Sequence, residues 1–228
     1  MIERYERNTL GRDFAVGDIH GYFTRLQTML DEVGFNPVAD RLFSVGDLVD
    51  RGPESEKSLD WLAKPWFHAI KGNHEDIAVR FAKGNPVDPE IYRRNGGGWF
   101  IDLLPDERVR FAAAFSALPF VIEIETAGGL VGLIHADCPR KNWADLEAAL
   151  RSSRTARDIC IWSRQRLQSE FPGVVTGVRA VVVGHTPLSR PVVLGNVFHI
   201  DTGGWEVEGY FTLLDLETLE VVFPKPGS

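Results

Sequence analysis

Cysteine is nearly absent: Cys138 and Cys160 are the only two in 228 residues. One possible bridge would add little to a chain of this length, so a disulfide-stapled secreted fold is excluded and a reducing compartment is expected. No apolar run approaches the roughly 18 residues that a membrane-spanning helix needs. The first twelve residues, MIERYERNTLGR, are charged and lack the apolar stretch of a secretory leader. Together these absences lead us to expect a cytoplasmic protein. An excess of basic charge is also missing. The formal net charge is -7, so the chain has no general electrostatic pull toward nucleic acid or an anionic membrane. Internal repeats, low-complexity tracts and linkers are lacking as well. If the substrate is a phosphate, the positive charge that attracts it must be local, and bound metal can supply it.

What is present reads as an ordinary globular chain, 44% hydrophobic and 25% charged. Its length suits one domain over residues 1–228. The first third alternates strand and helix signals. Phe14 to Val16 form an apolar run, followed by a helical face of Phe23, Leu26, Leu30 and Val33 that Gly34 and Pro37 close. Leu42 to Val45 and Phe67 to Ile70 are further strands, with a helix from near Pro53 carrying Leu59 and Leu62 between them. Three β-to-α units in succession predict a mainly parallel sheet. Residues 84–118 break the pattern and read as an insertion beside the sheet, with a helix at 106–117. The remainder predicts strands at 120–126, 130–135, 179–184, 191–194, 197–200, 209–215 and 219–223. Helices are expected near 142–152 and 156–168, and Gly128-Gly129 signals a hairpin.

Strand ends carry the chemistry. Gly17-Asp18-Ile19-His20-Gly21, Gly46-Asp47-Leu48-Val49-Asp50-Arg51-Gly52 and Gly72-Asn73-His74-Glu75 close the first three strands. His135-Ala136-Asp137 and Gly184-His185-Thr186-Pro187 close two later ones. Ligands in open α/β sheets bind beyond the carboxyl ends of strands. Five such ends would therefore aim polar side chains at one crevice. Carboxylate and amide oxygens together with neutral imidazoles suit transition ions. Four of the six histidines fall in these motifs, a concentration that packing does not explain.

Taken in this order, and with Ile161-Trp162-Ser163-Arg164 and Ile200-Asp201-Thr202-Gly203, the motifs resemble the calcineurin-like metallophosphoesterases. Within that family they are similar to the PPP-type protein phosphatases of the bacterial and phage branch. The resemblance covers nearly the whole chain. It implies an α/β fold, a four-layer α/β/β/α sandwich with two mixed sheets. It also implies a pair of divalent ions, manganese foremost, with iron, zinc, cobalt or nickel as alternatives. Asp18, His20 and Asp47 would hold the first ion; Asp47, Asn73, His135 and His185 would hold the second. Water would attack phosphorus in line. His74 would protonate the leaving oxygen, Asp50 would orient His74, and Arg51 and Arg164 would clamp the phosphate.

Each residue also has a plainer reading. Asp18, Asp47 and Asn73 could be helix caps. His135 and His185, taken singly, could be hydrogen-bonded core residues, Asp50 a turn acid with Arg51 as its exposed partner, and Arg164 part of a solvated basic face with Arg166. His68 and His199 are read as structural, and Cys138 is given no role. Asp137 and Asp201 are candidate partners for metal-bound histidines. Residues 95–100 fit either a flap over the site or a packed turn. The expected activity is a broad serine/threonine protein phosphatase. A diadenosine tetraphosphate hydrolase or another nucleotide or RNA-end phosphoesterase is the alternative, with Trp99, Phe100 and Trp143 available for base stacking. A non-catalytic metal-binding scaffold is a third reading.

Overall fold

Successive side chains of a strand point to opposite faces. In the strand Asp13–Val16, Phe14 and Val16 therefore enter one core while Ala15 enters another. The same division runs through the rest of the chain and stacks its elements into layers. The computed structural model describes residues 1–223. In chain order the first elements are β1 (Ile2–Tyr5), β2 (Asp13–Val16), α1 (Phe23–Glu32), β3 (Arg41–Ser44), α2 (Ser58–Leu62), β4 (Phe67–Ala69) and α3 (Asn73–Ala82). Then come α4 (Pro89–Tyr92), α5 (Gly98–Asp102), α6 (Pro105–Ala117), β5 (Val121–Thr126), β6 (Gly129–Ile134), α7 (Leu146–Ser152), α8 (Arg154–Trp162) and α9 (Gln165–Gln168). The chain continues with β7 (Ala180–Val183), β8 (Val192–Leu194), β9 (Val197–His199), β10 (Leu213–Asp215) and β11 (Val221–Phe223).

Two mixed sheets result. One has the order β1-β5-β6-β7-β9-β8, the other β11-β10-β2-β3-β4. Strands β2, β3 and β4 run parallel, as three successive β-to-α units require. Three cores separate four layers. Phe14, Val16, Leu42 and Phe67 pack under Phe23, Leu26 and Leu30 of α1. Ala15, Phe43 and Val45 meet Ile122, Ile124, Val131 and Val182 between the sheets. Val121, Ile134, Val181 and Val183 pack under Leu146 and Leu150 of α7 and Cys160 and Ile161 of α8. The expected α/β/β/α sandwich is thus the observed one.

Three expectations change. Residues 1–12 gave no strand signal, yet Ile2–Tyr5 form an edge strand parallel to β5. Its charged residues are the reason it is silent: edge strands carry polar side chains on their open faces. The helix expected over 156–168 is two helices. Ser163 has extended backbone, φ -70 and ψ 133, which ends α8 and leaves Arg164 as the residue before α9. The strand expected over 209–215 begins only at Leu213. The residues before it form a loop that Arg25 fastens by donating to the carbonyls of Gly204, Glu206 and Gly209.

Candidate active site

The loops after β2, β3, β4, β6 and β7 all open on the same rim. Each must turn sharply within a few residues of its strand. Of the seven non-glycine residues with left-handed backbone among the described residues, five are here: His20, Asp47, Asp50, Arg51 and His185. Such backbone costs on the order of 1 kcal/mol per residue and persists where surrounding contacts impose it. The contacts are explicit. Ile19 and His20 donate their N–H groups to the Asp47 carbonyl at 3.0 and 2.8 Å. Glu75 accepts from the backbone N–H of Asp47, Leu48 and Gly72 at 3.0, 2.8 and 2.8 Å, which ties the β3 loop to the β4 loop. Two glycines are required by space. A Cβ on Gly72 would sit 2.1 Å from Asp47 Oδ1, and one on Gly184 would sit 2.2 Å from Asp18 Oδ1.

Three histidines are fixed by backbone carbonyls. His20 Nδ1 lies 2.8 Å from the Val49 oxygen, His135 Nδ1 lies 2.7 Å from the Val45 oxygen, and His185 Nε2 lies 3.2 Å from the Trp162 oxygen. A carbonyl only accepts, so these nitrogens carry the protons. In the neutral rings the opposite nitrogens turn lone pairs inward. His20 Nε2 is buried without a hydrogen-bond partner among the described residues, 3.7 Å from Asp47 Oδ2 and 4.0 Å from Asp18 Oδ2. His135 Nε2 is 3.0 Å from Asn73 Oδ1 and 3.4 Å from Asp47 Oδ2, and His185 Nδ1 is 2.8 Å from Asn73 Oδ1.

Acceptors thus face acceptors, an arrangement that calls for positive charge between them. Titration behaviour points the same way. Burial would lower the pKa of His135, but Asp47 outweighs it and pushes it up to about 10. Burial and the neighbouring Asp201 hold Asp18 well above the usual carboxylate range. The buried polar atoms therefore fit divalent cations, and two groups of side chains could hold them: His20 with Asp47 and His74, and Asp47 with His135 and His185. Asp47 belongs to both. Asp18 is bound on its other side by the N–H of His185.

His74 differs from the other histidines. Its Nδ1 is 2.6 Å from Asp50 Oδ2, and its Nε2 is 3.3 Å from Arg51 Nη2 and 3.9 Å from Asp47 Oδ2. A guanidinium beside that nitrogen suits an anion better than a metal. Burial would lower the pKa of His74; the charges of Asp47 and Asp50 prevail and raise it. Asp50 is fully buried, and its other oxygen accepts from Trp99 Nε1 at 2.7 Å. Arg51 lies over the Trp205 ring, 4.1 Å from its centroid. The exposed Arg164 is close enough for its charge to help lower the pKa of His185, to about 3, an effect led by burial.

Several expectations need correction. Asp137 does not serve a histidine: it accepts from Arg166 Nε at 2.8 Å. Asp201 accepts from the Gly203 N–H, keeps its second oxygen buried and unpartnered among the described residues, and acts on Asp18. The carbonyls of Val45, Val49 and Trp162 take the place foreseen for these acids. Phe100 and Trp143 are buried in separate cores and cannot stack on a base. Trp99 is engaged by Asp50. Residues 95–100 are helical rather than a turn, apart from the left-handed Gly96, whose carbonyl accepts from the Arg51 N–H at 3.3 Å. His68 bonds Tyr5, and His199 is buried with neither nitrogen paired among the described residues. Two residues were missed. Glu75, three residues after the Gly72 N-cap of α3, had a recognisable capping position. Trp205 had no sequence signal.

Layered sheets with acids and histidines at their strand ends define a metal-dependent phosphoesterase. The chain belongs to the calcineurin-like phosphoesterase family, whose pattern matches residues 14–193. The family implies divalent metal ions. The chain is 34% identical to serine/threonine-protein phosphatase 1 of Salmonella typhimurium, with 89% of this chain and 91% of that protein covered. Serine/threonine-protein phosphatase 2 of Escherichia coli is also 34% identical, over 83% of this chain and 86% of its own. An asymmetrical bis(5'-nucleosyl)-tetraphosphatase of Bacillus velezensis is 27% identical over 92% of each chain. In structure, the cold-active protein-tyrosine phosphatase of a psychrophilic Shewanella superposes with a TM-score of 0.61 at 19% identity, covering 97% of this chain and 79% of that one. No helix among the described residues is long and apolar enough to cross a membrane.

Proposed function

We propose that this protein is a two-metal phosphomonoesterase that removes phosphate from phosphoserine and phosphothreonine in proteins. The observation that carries the reading is His74 Nε2. It stands on the Arg51 side of the acid cluster, backed by Asp50, where a proton can be given to a departing oxygen. Asp18, His20 and Asp47 would hold one ion, and Asp47, Asn73, His135 and His185 the other. Such ions supply Lewis-acid charge to phosphoryl oxygens and acidify the attacking water. Manganese is the ion we assign, and the cytoplasm the compartment.

The side chains perform the rest. Arg51 and Arg164 grip the phosphate oxygens with guanidinium forks. Asp50 accepts from His74 Nδ1 and fixes the ring, so that Nε2 is the nitrogen that releases a proton. In the neutral ring Nε2 accepts from Arg51. In the protonated ring its N–H needs another acceptor, and the ester oxygen provides one. General acid catalysis of this kind contributes roughly 10²- to 10⁴-fold.

The Bacillus velezensis relative supports a second reading, hydrolysis of diadenosine tetraphosphate. Against it stands the burial of two of the three aromatics that could have stacked on a base. A panel with manganese separates the readings. Purified protein should release phosphate from p-nitrophenyl phosphate, and His74→Asn should lower kcat by roughly 10²-fold or more while metal content holds. A phosphoserine peptide should be turned over faster than diadenosine tetraphosphate; the reverse order would replace the first reading with the second.

A further inference from the structure

A cavity of about 500 Å³ opens beside the site and is not used by the chemistry above. Asp137 and Cys138 on its wall lie two and three residues beyond His135, so it begins within about 7 Å of backbone from a proposed metal ligand. Gln165, Arg166 and Ser169 line it from the side that Arg164 introduces. Its charge is one-sided. Arg166, only 6% exposed, gives Nε to Asp137 and Nη1 to the carbonyls of Phe171 and Gly173. Its Nη2 has no acceptor among the described residues. Arg140 and Lys141 stand exposed on the rim and have no carboxylate within 4.0 Å among the described residues. Phe171 and Val174, 47% and 57% exposed, supply an apolar wall.

We propose that this cavity is a specificity subsite for an acidic side chain, glutamate or aspartate, one or two positions from the phosphorylated residue of a protein substrate. This rests on the phosphatase reading above. The carboxylate would meet Arg140, Lys141 and the free edge of Arg166, and its stem would lie on Phe171 and Val174. A neighbour one or two residues away reaches at most about 7 Å along an extended peptide, the same limit that two residues of chain set between His135 and Asp137 on the cavity wall. Burial pushes the Cys138 thiol up to about 11, so it stays protonated at neutral pH and the cavity recognises rather than reacts.

The test compares three phosphoserine peptides, flanked by glutamate, alanine or lysine, on the wild-type protein and on an Arg140→Glu/Lys141→Glu variant. Each kcat/KM is divided by that for p-nitrophenyl phosphate, which is too small to reach the cavity, on the same preparation. Wild type should favour glutamate over lysine by about tenfold, the size that a few exposed ion pairs give together, mainly through KM. The preference should shrink in 0.5 M salt, where the screening length is only about 4 Å. The double variant should lose or invert it. An unchanged ranking in the variant, or no preference in wild type, would overturn the subsite. So would an effect seen with diadenosine tetraphosphate alone, which would assign the cavity to a polyphosphate. Failure of wild type on p-nitrophenyl phosphate is a separate result and would instead sink the enzymatic reading.

Discussion

The indole Nε1 of Trp99 lies 2.7 Å from Asp50 Oδ1, on the carboxylate whose other oxygen holds His74. A residue of the 84–118 segment thereby completes the orientation of the proposed acid. Trp99 packs edge-on against Phe111 of α6, so the donor is held rigidly.

Trp99→Phe removes that donor and keeps the ring. The expected result depends on the leaving group. Hydrolysis of phenyl phosphate, which needs a proton donor, should slow by about tenfold or more in kcat. Hydrolysis of 2,4-dinitrophenyl phosphate, whose leaving group departs as the anion, should change by less than about threefold. Equal losses on both esters would mean that Trp99 supports only the general shape of the site.

Glu75 satisfies three buried N–H groups in two loops. Glu75→Ala leaves them unpaired, at a cost of about 3 kcal/mol. The melting temperature should fall by on the order of 10 °C for a chain of this size. Calorimetry would check it, and a drop under about 2 °C would show that water replaces the carboxylate.

Asp47 is common to both ligand groups. Asp47→Asn should therefore reduce bound manganese at both positions, and a dialysed sample should retain less than one ion in elemental analysis. Retention of one full equivalent would show that one position holds its ion without this carboxylate.

Asp40 supplies a pH dependence away from the site. It accepts from the backbone N–H of Arg12 at 2.8 Å, from that of Asn36 at 2.9 Å and from Arg12 Nη2 at 2.7 Å. Burial would raise its pKa; these donors outweigh burial and lower it below the ordinary aspartate value. A carboxylate depressed in the folded state stabilises above its unfolded pKa and loses that contribution as pH falls through the folded value. Asp40→Asn should cost about 1–2 kcal/mol in urea unfolding at pH 7. The gap to wild type should close as pH drops below about 4. A gap that stays constant to pH 3 would contradict the assignment.

The five strand ends were legible because glycine punctuation, short polar residues and histidine coincide there, and strand polarity dictates where such ends point. The roles of Asp50 and Arg51 were legible only through the resemblance of the Gly46–Gly52 motif to the family's. The partners of the histidines were not, because the oxygens of Val45, Val49 and Trp162 are backbone atoms and leave no mark on residue type. Trp162 reaches His185 only because the helix breaks at Ser163, a residue with no strong tendency to stop one. Trp205 was invisible for a similar reason: its loop is placed by Arg25, 180 positions earlier in the chain. β1 escaped notice because its polar edge follows no hydrophobic alternation.

The two sheets end on the same rim but contribute unequally to it. Asp18, His20, Asp47 and Asn73 hang from β2, β3 and β4, while His135 and His185 hang from β6 and β7 in the other sheet. Any sideways slip between the sheets would separate these side chains before it disturbed either hydrogen-bonded ladder. The apolar seam between Ala15 and Ile124 therefore works as an alignment gauge for the reaction. A bulky substitution deep in that seam, remote from every charged atom, would be felt first as lost turnover and only later as unfolding.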